Sequence, residues 1–122
     1  MNGIELQKII ISQKPYDERK SIQIITQVIE ALFNYLSNGL IYLDLRCEKI
    51  MLIDDEKIKL VDNGSSIPYD GTNLSLEALD YNLTDTLYCP PEFNSKRIIN
   101  EKSLVWSCGM IFYFLISGKF LL

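Results

Sequence analysis

The chain has 122 residues and a formal net charge of −4, and 48% of its residues are hydrophobic. This length accommodates one domain with a hydrophobic core and is too short for two. The hydrophobic fraction argues against disorder, and the negative charge argues against a broad nucleic-acid interface. Histidine is absent from the sequence, which removes the commonest general base and the commonest zinc ligand.

The cysteines give information about the redox environment. Cys47, Cys89 and Cys108 are far apart and odd in number, so they indicate neither a complete disulfide set nor a metal site. Reduced thiols suit a cytoplasmic setting. The first residues also lack the basic-then-apolar pattern of a signal peptide, and we therefore expect a cytoplasmic protein.

Two helices are predicted in the first third of the chain. Residues 4–12 form a short amphipathic pattern, and Pro15 ends it because the residue before a proline is pushed out of the helical region. Asp17 is a candidate N-cap for a longer helix, and Asn38-Gly39 is a helix stop. The buried face of the longer helix is predicted from apolar residues at three- and four-residue steps: Ile22, Ile25, Ile29, Leu32 and Leu36.

Three short strands are predicted next, and they bring two carboxylates near each other. An apolar strand follows Gly39 and leads to Asp44 in a charged loop. Residues 50–53 form a second strand, and residues 57–61 alternate as expected of a strand with one buried face. This third strand ends at Asp62, the first residue of an Asp-Asn-Gly turn. Asp44 and Asp62 therefore bracket one hairpin.

The last element is predicted to be an apolar helix. Ser103 is its candidate N-cap and Gly118 its stop, and residues 104–116 are apolar almost throughout. Such a helix is buried on all sides or lies in a membrane. Its length of about 13 residues is short of the roughly 20 needed to span a bilayer, so we do not expect a membrane span; a tail anchor that extends to Leu122 and includes Lys119 is the alternative.

Four motifs, in order, resemble the catalytic core of the protein kinase superfamily. Residues 42–49 read Tyr-Leu-Asp-Leu-Arg-Cys-Glu-Lys where the family has His-Arg-Asp-Leu-Lys-Pro-Glu-Asn, and residues 62–64 read Asp-Asn-Gly where it has Asp-Phe-Gly. Residues 88–92 resemble the Ala-Pro-Glu region, and residues 106–109 resemble the Asp-x-Trp-Ser-x-Gly helix. The resemblance implies an α+β, mainly α, kinase-like C-lobe over residues 1–122, with a small β-hairpin element and truncated after the central apolar helix.

The resemblance implies roles for individual residues. Asp44 matches the carboxylate that orients the acceptor hydroxyl, Arg46 the lysine that meets the transferred phosphate, and Asp62 the carboxylate that binds magnesium. Asp44 and Arg46 are thus candidate catalytic residues, and Asp62 is a candidate metal ligand. Lys49 and Met51 are the candidate nucleotide contacts. The alternatives are that Asp44 is left over from ancestry or caps its loop, and that Asp62 only forms a turn. Arg46 and Lys49 would then be solvated charges that balance Asp44 and Glu48.

Several positions depart from the catalytic pattern. Lys49 replaces an asparagine that holds magnesium, and a protonated lysine has no lone pair to offer. Asn63 replaces the phenylalanine of Asp-Phe-Gly. Leu43 and Leu104 replace an arginine and an aspartate that support the catalytic loop. Such apolar replacements are expected of a fold that keeps its packing and loses its catalytic role. We expect no cofactor, with ATP and magnesium only under a catalytic alternative, and any nucleotide binding to be weak and independent of magnesium.

The segment from 65 to 88 has weak periodicity, with turns predicted at Pro68, Asp70-Gly71 and Asn73. It lies where kinases carry the activation segment, so the resemblance makes three of its residues candidate phosphorylation sites. A solvated acidic loop is the alternative. The candidate residues are Thr84, Thr86 and Tyr88.

The resemblance also predicts an exposed surface. Residues 1–122 contain no counterpart of the glycine-rich loop or strand lysine of the kinase amino-terminal lobe, and the further helices that cover the central helix in kinases are absent. One side of the last helix is therefore expected to be bare and to bind a protein partner or a second copy. This predicted surface comprises Trp106, Met110, Phe112, Tyr113 and Phe114.

The kinase non-catalytic C-lobe domain, an interaction module, has a similar organisation, including a Ser-x-Gly-Met helix that residues 107–110 match. We therefore expect a degenerate kinase-like domain with a non-catalytic interaction or scaffold role. The alternative is a divergent serine/threonine kinase, or the C-terminal part of one, that transfers phosphate from ATP to protein. A third possibility is a gene fragment without independent function.

Overall fold

The computed structural model describes residues 3–12, 15–43, 45–54, 57–61, 66–72, 74–75 and 98–119. Within these ranges the chain forms helices and small antiparallel sheets, as the α+β, mainly α prediction requires. Several predicted features lie outside the described residues: Asp44, the turn at 62–64, Asn73, Thr84, Thr86 and the motif at 88–92 with Tyr88 and Cys89.

Two helices make up the first third of the fold. Helix α1 spans Leu6–Ser12 and helix α2 spans Glu18–Ser37. Asp17 caps α2 as predicted, because its carboxylate accepts a 2.8 Å hydrogen bond from the backbone N–H of Lys20. The predicted stop is also confirmed, since Gly39 adopts the left-handed conformation with φ of 73°.

The buried face of α2 differs in part from the prediction. Ile22 and Ile29 are 47% and 50% exposed. Apolar residues occupy more than one face of this helix, so spacing alone allows two neighbouring stripes. Its packing against β2, β4 and the last helix selects one of them. The buried residues are Ser21, Ile24, Ile25, Val28 and Leu32.

An unpredicted strand adds a third member to an antiparallel sheet. Ile4–Glu5 is not helical but forms β1, which pairs with β3, Ile50–Leu52, and β3 pairs with β4, Ile58–Leu60. In the first turn of a helix, the backbone N–H groups have no hydrogen-bond partner within the helix. Pairing with β3 gives the backbone of β1 such partners. The predicted alternation of β4 is confirmed, because Leu60 is buried and Lys59 is exposed.

The other strands form two short pairs. Strand β2, Leu40–Tyr42, pairs with β5, Ser66–Pro68, and β6, Leu74–Ser75, pairs with β7, Ile98–Ile99. Pro68 was predicted in a turn but ends β5, a position where its missing N–H is tolerated. The turn at residues 70–71 is confirmed, since Gly71 has φ of 96°.

The last helix, α3, spans Glu101–Ser117 and begins before the predicted cap. Asn100 is the N-cap and accepts a 2.9 Å hydrogen bond from the Lys102 N–H. Ser103 instead completes a capping box, since its hydroxyl accepts a 3.2 Å bond from the Asn100 N–H. Gly118, with φ of 75°, ends the helix as predicted.

The exposed side of α3 differs from the predicted surface. Met110 and Phe114 are buried, with exposures of 6% and 1%, because they pack into the core. Trp106 and Tyr113 are exposed as predicted, and Phe112 is half-buried. Among the described residues, no helix combines the length and apolar character required to cross a membrane.

Candidate functional site

Tyr42 lies at the centre of the candidate site. It ends β2, is fully buried, and its ring packs on Tyr35 of α2 with centroids 5.5 Å apart. Its hydroxyl donates a hydrogen bond to the carbonyl oxygen of Val61. Because Asp44 follows Tyr42 by two residues and Asp62 follows Val61 directly, this bond joins the two segments that carry the candidate carboxylates.

Arg46 and Lys49 flank a 3-10 turn, Cys47–Lys49. The Lys49 N–H donates to the Arg46 carbonyl at 2.9 Å, and the Val61 N–H donates to the Lys49 carbonyl at 2.8 Å. Lys49 therefore extends the β3–β4 ladder by one position and lies across from the residue that precedes Asp62. Both cationic residues are partly exposed.

The candidate nucleotide contact Met51 lies in a row across the three-stranded sheet. Glu5 of β1 is its partner on one side, and Lys59 of β4 is its partner on the other. Directly opposite residues of antiparallel strands present their side chains on one face. No sequence pattern indicates Glu5, because a two-residue strand has no detectable periodicity and only the pairing with β3 reveals its place.

The two described thiols, Cys47 and Cys108, are buried in the hydrophobic core. Cys47 is fully buried, and the pKa of its thiol is raised by burial and further by the negative charges of Glu5 and Glu48. Burial also raises the pKa of Cys108 to about 11. Since the thiolate is the reactive form, both cysteines are structural residues of the core.

The donor chemistry at Lys49 does not fit a magnesium ion. Magnesium takes oxygen ligands, and an ammonium group has no lone pair to donate. In the part of the chain that the structure describes, which excludes Asp44 and Asp62, no group of three or more His, Cys, Asp or Glu residues could hold a metal ion. That Lys49 corresponds to the metal-ligand position of the family stays a prediction of the resemblance.

Comparison with known proteins shows the family of this chain. The model of the protein kinase domain matches residues 1–122. The chain belongs to the protein kinase domain family. Its resemblance to kinases is thereby confirmed, and the helices and small antiparallel sheets described above are those of a kinase-like domain.

The kinase relatives of this chain include enzymes from plants, fungi and animals. The calcium and calcium/calmodulin-dependent serine/threonine-protein kinase of Lilium longiflorum is 31% identical over 120 residues, which are 96% of this chain and 22% of that protein. The probable serine/threonine-protein kinase KIN1 homolog of Encephalitozoon cuniculi is 28% identical over 119 residues, 97% of this chain and 20% of that protein. The calcium/calmodulin-dependent protein kinase type II alpha chain of Drosophila melanogaster is 28% identical over 122 residues, which cover 97% of this chain and 22% of that protein. The chain thus spans about a fifth of the length of these curated relatives.

Proposed function

We propose that this kinase-like chain corresponds to a C-lobe and serves as a non-catalytic protein-interaction module. The observation that carries this proposal is an apolar surface on α3, which we call the α3 outer face. Monomeric soluble proteins rarely expose large contiguous apolar patches unless the patch has a binding role. The α3 outer face comprises Val105, Trp106, Tyr113 and Ile116, which are 71%, 42%, 41% and 41% exposed.

The α3 outer face continues onto α2. One apolar groove runs along α3 beside Trp106 and Tyr113, and a second, of about 260 Å³, lies between α2 and α3. Val105 lines both grooves, so the two form one surface. Ile29 and Phe33 of α2 extend it, with exposures of 50% and 68%. A protein partner that covers both grooves would remove these side chains from water.

Residues of the catalytic pattern support a non-catalytic role. Leu43 and Leu104 replace an arginine and an aspartate of the family, and both are buried in the hydrophobic core, with exposures of 4% and 5%. Apolar side chains that pack in the core thus stand where the family has polar groups that support the catalytic loop. By the resemblance, Lys49 stands where the family has an asparagine that holds magnesium, so one ligand for a metal ion that phosphoryl transfer uses is missing.

The proposal is tested by the affinity of a purified binding partner. We expect Val105→Asp to weaken binding at least about tenfold, because a charge would be buried against an apolar surface. Ile11→Asp is the matched control, since Ile11 is 66% exposed on α1. Equal affinities of the two variants, or transfer of phosphate from ATP to protein by the wild-type chain, would contradict the proposal.

The second candidate function is serine/threonine phosphoryl transfer by a longer protein that contains this chain. The hydrogen bond between Tyr42 and Val61 favours it, because it joins the segments that carry both Asp44 and Asp62. The printed names of the relatives point to the same reaction. Transfer of radiolabelled phosphate by the longer protein, lost on Asp44→Asn, would establish this function over the first.

A further inference from the structure

We propose that the partner of the α3 outer face is a second copy of this chain, whose own α3 packs antiparallel to the first about a twofold axis at Gly109. This inference rests on the proposed function, because it names an occupant for the surface described there. A symmetric dimer requires a surface that is complementary to itself. The spacing of the exposed residues of α3, its central glycine and the charges at its ends all meet this requirement.

Exposed residues of α3 follow the spacing of a seam between two helices. Trp106, Gly109, Tyr113 and Ile116 are all exposed and succeed one another at steps of three, four and three residues. Alternating steps of this kind place residues in one stripe along a helix, and two such stripes pack against each other at a small crossing angle. The helix thus presents this stripe to solvent while its other side fills the core.

Gly109 lies at the midpoint of this stripe and of the helix. Residues 101–108 of α3 precede it and residues 110–117 follow it. An added Cβ would meet nothing within 4 Å, so no packing within the described part of the chain requires a glycine here, although glycine destabilises a helix interior relative to alanine. A second helix that crosses at Gly109 gives the glycine a role, since the missing side chain allows a close approach of the two backbones.

A twofold axis at Gly109 brings the two halves of the stripe together. Each residue before Gly109 then lies across from a residue of the second copy that is about as far after it. Trp106, three residues before, meets Tyr113 of the second copy, four residues after. The groove along α3 that Trp106, Gly109 and Tyr113 help to line has a volume of about 630 Å³ and leaves room for an aromatic side chain. The dimer contains this aromatic contact twice, and aromatic pairs add to the free energy gained by burial.

The charges at the ends of α3 favour the antiparallel orientation. Glu101 and Lys102 lie in its first turn, Lys119 follows its C-terminus, and the residues between Lys102 and Lys119 are uncharged. The Tyr69 hydroxyl donates a hydrogen bond to Glu101, which fixes the carboxylate. In an antiparallel pair, Glu101 lies near Lys119 of the second copy, and Lys102 lies near the negative end of the other helix dipole. A parallel pair would bring the two copies of Lys119 together, and like charges repel.

The test is the association state of the full chain, measured by sedimentation equilibrium at about 1–100 µM, where weak protein interfaces associate. We expect an equilibrium between monomer and dimer. Tyr113→Asp should weaken dimerisation at least about tenfold, because its charge would be buried in the seam of both copies. Ile11→Asp is the matched control, since Ile11 is 66% exposed on α1, and it should leave the Kd of the dimer unchanged.

Reversal of two charges tests the orientation. Glu101→Lys or Lys119→Glu alone would place like charges together at both ends of an antiparallel dimer, so each should weaken dimerisation at least about threefold. The double variant restores opposite charges and should recover the affinity of the wild type. A parallel pair would show no such weakening, because a single reversal only exchanges one contact between like charges for another. Single reversals without effect would therefore overturn the proposed arrangement.

A wild-type chain that stays monomeric over this range would overturn the second copy as the occupant, as would equal Kd values for Tyr113→Asp and Ile11→Asp. If Val105→Asp still weakens the binding of a different protein, the proposed function stands and only this inference fails. Transfer of phosphate from ATP to protein by the wild-type chain would instead overturn the proposed function. Circular dichroism checks that each variant is folded. If Tyr113→Asp does not fold, the charge reversals at exposed positions still decide.

Discussion

The hydroxyl of Tyr42 donates a hydrogen bond to the carbonyl oxygen of Val61, and this contact joins two different sheets. Tyr42 ends β2, whose strand partner is β5, whereas Val61 follows β4, whose strand partner is β3. No backbone ladder connects these sheets within the described residues. A buried side chain therefore holds together the segments that lead to the two candidate carboxylates.

Replacement of Tyr42 by phenylalanine should destabilise the protein. Tyr42→Phe leaves the Val61 carbonyl without this donor, and we expect a loss of about 1–2 kcal/mol in the free energy of unfolding. Urea denaturation measures the loss. Tyr113→Phe is the control, because Tyr113 is 41% exposed and a surface change should stay within about 0.5 kcal/mol. Equal midpoints for both variants would show that the bond does not stabilise the fold.

The side chain of Gln27 forms a hydrogen bond to β4, an outer strand of the three-stranded sheet. Its carbonyl oxygen accepts a 3.0 Å hydrogen bond from the Ile58 N–H, the first residue of β4. Gln27→Leu should therefore accelerate hydrogen exchange of the Ile58 amide and lower stability by roughly 1 kcal/mol. Gln23→Leu, one turn earlier on an exposed position, should do neither. Unchanged exchange at Ile58 in Gln27→Leu would refute the role of this side chain.

Replacement by alanine should have opposite effects on stability at two glycines, one inside α3 and one at its C-terminal end. Gly118 has φ of 75°, and an added Cβ would lie 2.9 Å from Cγ of Pro15. Gly118→Ala should therefore destabilise by about 1–3 kcal/mol. Gly109 lies inside α3 with nothing within 4 Å of an added Cβ, and Gly109→Ala should stabilise by about 0.5–1 kcal/mol. Thermal unfolding measures both, and shifts of the same sign would contradict the stated conformations.

Ionisation of the Cys108 thiol should make the free energy of unfolding depend on pH in the alkaline range. Burial raises its pKa from the ordinary 9.0 to about 11 in the folded protein. The unfolded chain ionises first, so the contribution of this thiol is present below pH 9 and is lost as the pH rises through about 11. The wild type should lose up to about 2–3 kcal/mol more than Cys108→Ala over this interval. Parallel pH profiles of unfolding free energy for the two proteins would disprove this.

The candidate site was predicted only in part. The kinase motifs indicated Lys49 and Met51 along the chain, and the hairpin between them and Asp62 is present as predicted. The motifs did not indicate Glu5, because its place beside Met51 depends on pairing between strands that are far apart in sequence. Met110 and Phe114 were predicted to be exposed for a related reason, since an almost uniformly apolar helix does not show which side faces the core.

Elements with local signals could be predicted from the amino-acid sequence. Asp17 begins α2, Gly39 and Gly118 end helices, and the alternation of residues 58–60 defines β4, because capping, left-handed glycine and strand periodicity depend only on neighbouring residues. Which apolar side chains are buried, and which segments contact each other, depends on the packing of the whole fold. Packing of α2 against its neighbours left Ile22 and Ile29 in solvent, and β1 formed because β3 offered it a partner. These choices depend on contacts between distant parts of the chain, which periodicity does not encode.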